Sequence, residues 1–238
     1  MIILALDTST RTGSTALLSG SDIIEEFTED SLQSWTERLP GDLNGLLKRN
    51  RLDISRVSLC AVTVGPGSFT GLRVGIATMQ GLAFSRKLPL IGISALDALA
   101  KVCVTDDVGL VVTWINAWRG EVYGALYKDG REVSPPTVNS PETFLESLRE
   151  KLKNSFSKVL FVGDGVSGYE SLIRDRLGED VYIADPPSPP LAGLVGKLAL
   201  GMFEDGLAPT PDSIRPLYVR RPDAEVSQER REKPRKKL

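Results

Sequence analysis

Glycine at every fourth position of an otherwise apolar helix leaves a chain few ways to fold, and such a pattern sits between Val62 and Gly81. Val57 to Val64 is apolar and partly β-branched, which predicts a largely buried strand. Gly65-Pro66-Gly67 ends it, because Pro66 fixes its own φ and the flanking glycines reach backbone angles closed to other residues. Ser68 and Thr70 offer hydroxyls to cap a helix expected from Phe69 to about Phe84. Gly67, Gly71 and Gly75 then fall along one face of it. An interior glycine costs about 1 kcal/mol against alanine, so the stripe calls for close approach of another backbone. Two neighbours suit that role: the chain's own sheet, or a helix of another subunit.

Histidine is absent from the 238 residues, which removes Ser-His-Asp and Cys-His catalysis, imidazole general-base chemistry and His-ligated zinc. With 41% hydrophobic and 25% charged residues, a chain of this length supports one large core or two modest ones, and two lobes are expected. Net charge is −2, but Gln228 to Leu238 holds six Lys or Arg against two Glu, leaving the body at −6. The body thus offers no broad attraction to nucleic acid. The basic tail is expected to be a solvated, disordered end, with RNA contact as its second reading. Cys60 and Cys103 make no disulfide framework and suit a reducing cytosol. Met1 leads directly into an apolar strand, and no run reaches the eighteen or so apolar residues of a membrane span. A soluble, cytoplasmic protein is expected.

Ile2 to Asp7, Gly13 to Ser19 and Asp22 to Glu29 read as three antiparallel strands in meander order. Ser34-Trp35-Thr36-Glu37 matches a capping box, and Leu39, Leu43, Leu46 and Leu47 have helical spacing, so a helix should run to about Asn50. Pro40 should kink its first turns. Pro89 to Ile93 is a short strand, and Ser94 caps a short helix. A second unit opens near Gly109, with strands Leu110 to Ile115 and Glu121 to Lys128 joined by a polar hairpin tip, Asn116 to Gly120. Then follow a helix (Pro141 to Lys153), a strand (Val159 to Val162), a Gly163-Asp164-Gly165 turn and a helix to Leu177. Val181 to Ala184 is a last strand, a proline-rich linker is stiff, and Leu191 to Phe203 is a buried helix. No internal repeat is visible in the residues.

This order, with Asp7-Thr8-Ser9-Thr10 after the first strand, resembles the actin, hexokinase and Hsp70 (ASKHA) superfamily: an α/β fold of two lobes, with mixed sheets flanked by helices. The resemblance implies a first lobe over residues 1–104 and a smaller second lobe over 105–222. The last helix, about 191–205, would pack back on the first lobe, and 223–238 would be the basic tail. Gly65-Pro66-Gly67-Ser68-Phe69-Thr70-Gly71-Leu72-Arg73-Val74-Gly75 is similar to the signature of the bacterial TsaB (YeaZ) family. Supporting motifs are Leu4 to Thr10, Pro89 to Ser94, Arg119-Gly120-Glu121-Val122-Tyr123 and Pro216 to Arg220. In the catalytic paralogue family, TsaD, the segment matching Gly92 to Leu99 carries two metal-binding histidines, whose places are held here by Ala95 and Leu99. Neither can coordinate a metal. Two positions depart from the TsaB pattern: a histidine usual near Ser34 and Trp35 is missing, and Asn116 stands where Asp is common.

The resemblance implies a non-catalytic scaffolding and activating subunit for transfer of a threonylcarbamoyl group to tRNA. Its partners would be a TsaD-like transferase in a heterodimer and a TsaE-like ATPase, with a homodimer when alone, tRNA met only through the complex, and no membrane. No cofactor or metal is expected to be tightly bound, and ATP or ADP has a place only at the interface of the complex. The implied partner surface is Leu39, Leu43, Leu46 and Leu47 of the first helix with Phe69, Leu72, Arg73, Ile76 and Gln80 of the second. Asp7, Thr8, Ser9 and Thr10, with Gly163, Asp164 and Gly165, match nucleotide-binding positions of the superfamily. From the residues alone both segments read first as ordinary turns. Asp97 and Asp164 are candidates for a carboxylate pair that nothing in the sequence brings together. Trp114, Trp118 and Tyr123 could stack a base or serve as packing. The alternative functions are a small-molecule kinase or ATPase of the same superfamily and, with little chemical basis, a peptidase.

Overall fold

The computed structural model of the chain describes residues 1–28, 34–102, 108–152, 158–178 and 180–220. The expected basic tail beyond 222, Glu29 and Cys103 lie outside the described residues. Two five-stranded sheets form the frame. In the first, β1 (Ile2–Asp7), β2 (Ser14–Ser19) and β3 (Asp22–Phe27) make the antiparallel meander, and β4 (Val57–Gly65) and β5 (Leu90–Ser94) add in parallel beside β1. In the second, β6 (Leu110–Asn116), β7 (Val122–Lys128) and β8 (Arg131–Asn139) form a meander, and β9 (Val159–Val162) and β10 (Val181–Ile183) add in parallel beside β6. The second sheet therefore repeats the strand order of the first, a duplication at the level of topology that the residues do not display.

β8 is the strand the sequence hides. Pro135 and Pro136 argue against a ladder strand, but β8 lies at the sheet edge, where its register against β7 shifts, and an edge tolerates proline without losing inner hydrogen bonds. Pro40, expected to kink the first turns, does not interrupt the helix around it. Helix α1 (Trp35–Arg49) runs unbroken through it, since only one N–H is lost near the helix start. Glu37 Oε2 accepts from both the backbone N–H and the hydroxyl of Ser34, each at 2.8 Å, and fixes that start.

Alternation along the strands sorts the apolar residues into three layers. Ile3, Ala5, Ala16 and Leu18 face the space between the sheets, where α3 (Ala95–Ala100) and α6 (Ala192–Glu204) meet Ile115, Tyr127 and Val162 of the second sheet. Helix α6 approaches the first sheet closely, because Gly196 lies over Leu18 and Ala5 and Gly193 over Ile23. Leu4, Leu6 and Leu17 face outward under α1 and α2 (Phe69–Arg86). The outer layer of the second sheet packs Trp114 edge-on against Phe144 of α4 (Pro141–Leu152) and Phe161, with Ile173 of α5 (Glu170–Leu177) beside them.

This layering corrects the partner surface. Leu39, Leu43, Leu46 and Leu47 of α1 and Leu72 and Ile76 of α2 are all buried, at 7% exposure or less. They cover the first sheet, because a helix lying on a sheet spends its most apolar stripe on that sheet. An arginine in place of Ile76 would therefore bury an unpaired charge in the outer core, which costs several kcal/mol. Ile76→Arg is expected to unfold at far lower urea concentration than the parent or to fail to fold. A variant of parental stability by equilibrium denaturation would mean that the side chain lies on the surface.

Candidate functional site

Strand β1 ends in Asp7, whose Oδ1 accepts from Ser9 N at 2.9 Å and from the Thr63 hydroxyl at 2.8 Å. Thr8 N reaches the same hydroxyl at 3.3 Å, and Gly13 N bonds Thr10 Oγ1 at 3.2 Å. The turn is pressed under the start of α2. Ser68 N donates to Ser9 O at 2.6 Å, and Ser68 Oγ caps Gly71 N at 3.2 Å. A Cβ at Gly67 would fall on Ser9 O, one at Gly71 on Thr8 O and one at Gly75 on the Thr8 hydroxyl. The glycine stripe is thus the footprint of the Thr8–Ser9 turn, and the close neighbour it calls for lies within the chain itself: backbone at Gly67 and Gly71, the Thr8 side chain at Gly75.

The Gly163-Asp164-Gly165 turn after β9 comes to the other side of the same cleft. Gly163, at φ 122°, lies against the Trp114 carbonyl and leaves no room for a side chain. Asp164 Oδ1 accepts from Asn116 N at 2.9 Å. Asp7, Thr10, Leu99, Asp164, Pro190 and Leu191 are among the residues lining a cleft of about 100 Å³. Asp7 and Asp164 are close enough across it that the Asp7 charge helps raise the Asp164 carboxyl, though burial is the larger cause; Asp164 is pushed up to about 6. Burial also raises Asp7. The carboxylate pair of the site is therefore Asp7 with Asp164. Asp97 instead accepts from the Tyr127 hydroxyl at 2.7 Å, a tie between α3 and the second sheet.

Of the superfamily's nucleotide positions, Asp7, Thr10 and Asp164 line the cleft, whereas Thr8 and Ser9 are buried beneath α2 with hydroxyls that find no partner. These residues do not fit a nucleotide phosphate. The backbone N–H donors of the two turns are engaged: Thr8 N and Ser9 N as above, Gly163 N with Pro187 O at 2.6 Å and Gly165 N with Trp114 O at 3.1 Å. The start of α6, a third potential anion cradle, is closed by the chain itself. Ser14 Oγ accepts from Leu191 N and Ala192 N at 3.1 and 2.8 Å, and Glu26 Oε1 takes Gly193 N at 2.9 Å. Asp7 and Asp164 face the cleft beside Thr10, Thr12, Thr28 and Ser188, and its volume is below the 300 Å³ or so of a typical small-molecule pocket. Among the described residues no three His, Cys, Asp or Glu side chains are grouped to hold a metal. Ala95 and Leu99 are core residues.

The face of α2 turned away from the glycine stripe is exposed. Phe69 is 56% and Phe84 75% exposed, and Arg73, Ala77 and Gly81 are exposed between them. The Arg73 guanidinium stacks 3.7 Å over Phe69, and its Nε donates to the Tyr218 hydroxyl at 3.1 Å. Gln80 Nε2 donates to Pro211 O and Ile214 O at 2.8 and 3.0 Å, and Leu217 N to Val64 O at 2.7 Å, so the segment after α6 is strapped along α2 and β4. Phe69 and Arg73 of the sequence-derived surface are thus exposed, and Gln80 is half-buried under the strap. Ala77, Gly81, Phe84 and Tyr218 escape the sequence reading, although steps of 4, 7 and 8 residues from Arg73 or Ala77 mark the helical ones.

The raised Asp164 carboxyl sets a pH dependence. Because its folded value, about 6, exceeds the ordinary 3.8, its ionisation opposes folding. The associated stability is fully present below about pH 4 and is lost as pH rises through about 6. Asp164→Asn keeps the acceptor for Asn116 N and removes the ionisation. It is expected to stabilise the protein by about 1–3 kcal/mol at about pH 7.5 and by almost nothing at about pH 4, read from thermal melts. An equal effect at both pH values would contradict the buried-carboxyl account.

The family model described as TsaD, tRNA N6-adenosine threonylcarbamoyltransferase, matches residues 28–225. The chain is 30% identical over 230 residues to the tRNA threonylcarbamoyladenosine biosynthesis protein TsaB of Bacillus subtilis, covering 95% of this chain and 97% of that one. The solved structure of YeaZ from Pseudomonas aeruginosa superposes with a TM-score of 0.71 at 27% identity, covering 91% of this chain and 100% of the other. An activator of 2-hydroxyisocaproyl-CoA dehydratase from Clostridium difficile superposes at 0.53 with 13% identity over 92% of this chain and 100% of its own, a likeness of fold alone. The duplicated sheets are thus those of the ASKHA fold, and with its signature turn and glycine stripe the chain belongs to the TsaB (YeaZ) family.

Proposed function

We propose that this chain is the non-catalytic scaffolding and activating subunit of a complex that transfers a threonylcarbamoyl group to adenosine in tRNA. Its role is to pair with a TsaD-like transferase, with a second copy of itself when alone, and to work beside a TsaE-like ATPase. The tRNA threonylcarbamoyladenosine biosynthesis named for its relatives supplies the pathway. The observation that carries the subunit role is the two-sidedness of α2. Its glycine face is consumed by the Thr8–Ser9 turn, while its other face presents Phe69, Arg73, Ala77, Gly81 and Phe84. Two exposed phenylalanines flanking small residues, with an arginine already held by stacking, have the composition of an interface hot spot. Beside them α1 presents Pro40, Gly41, Asn44 and Lys48, so a partner helix pair can lie across both helices.

Chemistry by the chain itself has little support. A small cleft that carries two carboxylates, with the N–H groups of Thr8, Ser9, Gly163 and Gly165 already engaged, suits a phosphate poorly, which also weighs against the kinase reading. ATP or ADP then belongs at the interface of the complex, and no metal is held tightly. Among the described residues no helix is long and apolar enough to cross a membrane, in keeping with a cytoplasmic complex.

An arginine at Ala77 would stand on the helix surface, where substitutions seldom change stability by more than about 0.5 kcal/mol. Ala77→Arg is expected to melt like the parent, to lose co-elution with the TsaD-like transferase in size-exclusion chromatography, and to abolish threonylcarbamoyl transfer in the reconstituted mixture. Glu142→Arg, on α4 of the second lobe, should leave both intact. Normal pairing by Ala77→Arg would place the interface elsewhere.

A further inference from the structure

Near the start of α2 the strap after α6 closes on one charged side chain, Arg73. Ile214 of the strap packs into the outer core, and Leu217 N donates to Val64 O at 2.7 Å, so the next residue, Tyr218, stands at a fixed place beside the helix. Its phenol oxygen accepts from Arg73 Nε at 3.1 Å, and its ring centre lies 6.0 Å from that of Phe69. The Arg73 guanidinium is 3.7 Å over the Phe69 ring and 5.9 Å from the Tyr218 ring centre. An exposed arginine ordinarily samples many rotamers, but this one is held from two sides. Only Nε is engaged: among the described residues neither terminal nitrogen of Arg73 has a hydrogen-bond or ion-pair acceptor.

We propose that Arg73, framed by Phe69 and Tyr218, is a clamp for a carboxylate on the partner of the α2 face; the inference rests on the pairing proposed above. The matching surface is a helix that sets one Asp or Glu among small apolar residues. A planar fork with both terminal nitrogens free takes a carboxylate end-on through two parallel bonds. Holding the fork in place beforehand removes part of the ordering cost of association. The surrounding charge selects an acidic partner. Helix α2 contains no Asp or Glu, and the strap contains one, Asp212, in its first half. On the neighbouring face of α1, Lys48 adds a second exposed cation, while Glu37 at the helix start is tied to Ser34. The face is thus cationic although the body of the chain is net negative, the arrangement that steers an acidic surface to this place. Ala77 and Gly81, one and two turns beyond Arg73, leave room for a helix to come close. A second copy of the chain would bring the same cations, so the clamp favours the transferase over self-pairing.

The test is the affinity of the full chain for the TsaD-like transferase by titration calorimetry, with a cross-link to locate the carboxylate. Arg73→Gln is expected to melt like the parent, to bind about tenfold more weakly or worse, and to show a shallower dependence of affinity on salt. Tyr218→Phe keeps the ring and loses the acceptor for Nε. It is expected to weaken binding about three- to fivefold in the parent and not at all in the Arg73→Gln background, a coupling that a purely structural tyrosine would not show. In the complex of Arg73→Lys, a water-soluble carbodiimide should condense the introduced amine with one Asp or Glu of the transferase, and peptide mass spectrometry reads the amide. Undiminished affinity in Arg73→Gln, or no such amide in a complex that does form, would overturn the clamp and leave the pairing standing. Failure of the parent chain to pair would overturn both. Binding of an unmodified tRNA transcript by the chain alone, lost in Arg73→Gln, would overturn the clamp by making the fork a phosphate contact.

Discussion

The contact between the glycine face of α2 and the Thr8–Ser9 turn is the constraint on which the rest depends. Three side chains are missing at Gly67, Gly71 and Gly75 so that the backbone of Thr8 and Ser9 and the Thr8 side chain can lie against the start of α2. The cost of interior glycine is offset by what the contact organises. It seats α2 on the first sheet, fixes Asp7 through Ser9 and Thr63, and decides which face of the helix is left for solvent. Alanine at Gly75 would lift α2 off the turn and shift both the cleft and the outer surface.

The same economy of donors runs through the cleft. A fold of duplicated sheets brings two glycine-bordered or hydroxyl-rich turns to face each other, an arrangement well suited to holding phosphate. Here each turn closes on itself or on its neighbour, and the start of α6 is capped from β2 and β3 by Ser14 and Glu26. The charged groups left facing the cleft are two carboxylates, one of them held near a pKa of 6 mainly by burial. The cleft is a seam between the two sheets, and the proposed partner surface lies on the exposed face of α2.

Much of this was legible in the residues. The glycine spacing, the three-strand meander, the leucines of α1 and the cap at Ser68 define the first sheet and its outer helices, and the family motifs identify the fold. The faces of the helices were not legible. Leu39, Leu43, Leu46 and Leu47 have the same spacing whether they meet a sheet or a partner, and only the position of the sheet distinguishes the two. β8 was hidden because Pro135 and Pro136 signal a break in any strand except one at an edge. The Asp7–Asp164 pair and the Ser14–Glu26 cap join residues more than 150 positions apart, beyond any local pattern. Trp118 could not be told from Trp114 without the backbone that turns one outward and buries the other.

The central claim is that the chain acts through contact and carries no chemistry of its own. The most direct measurement is threonylcarbamoyl transfer to tRNA by the purified chain alone, by the TsaD-like transferase alone, and by the two together with the TsaE-like ATPase. The expected result is no transfer by the chain alone, weak or no transfer by the transferase alone, and full activity only when this chain is present. Transfer by the chain alone, or full transferase activity in its absence, would contradict the account.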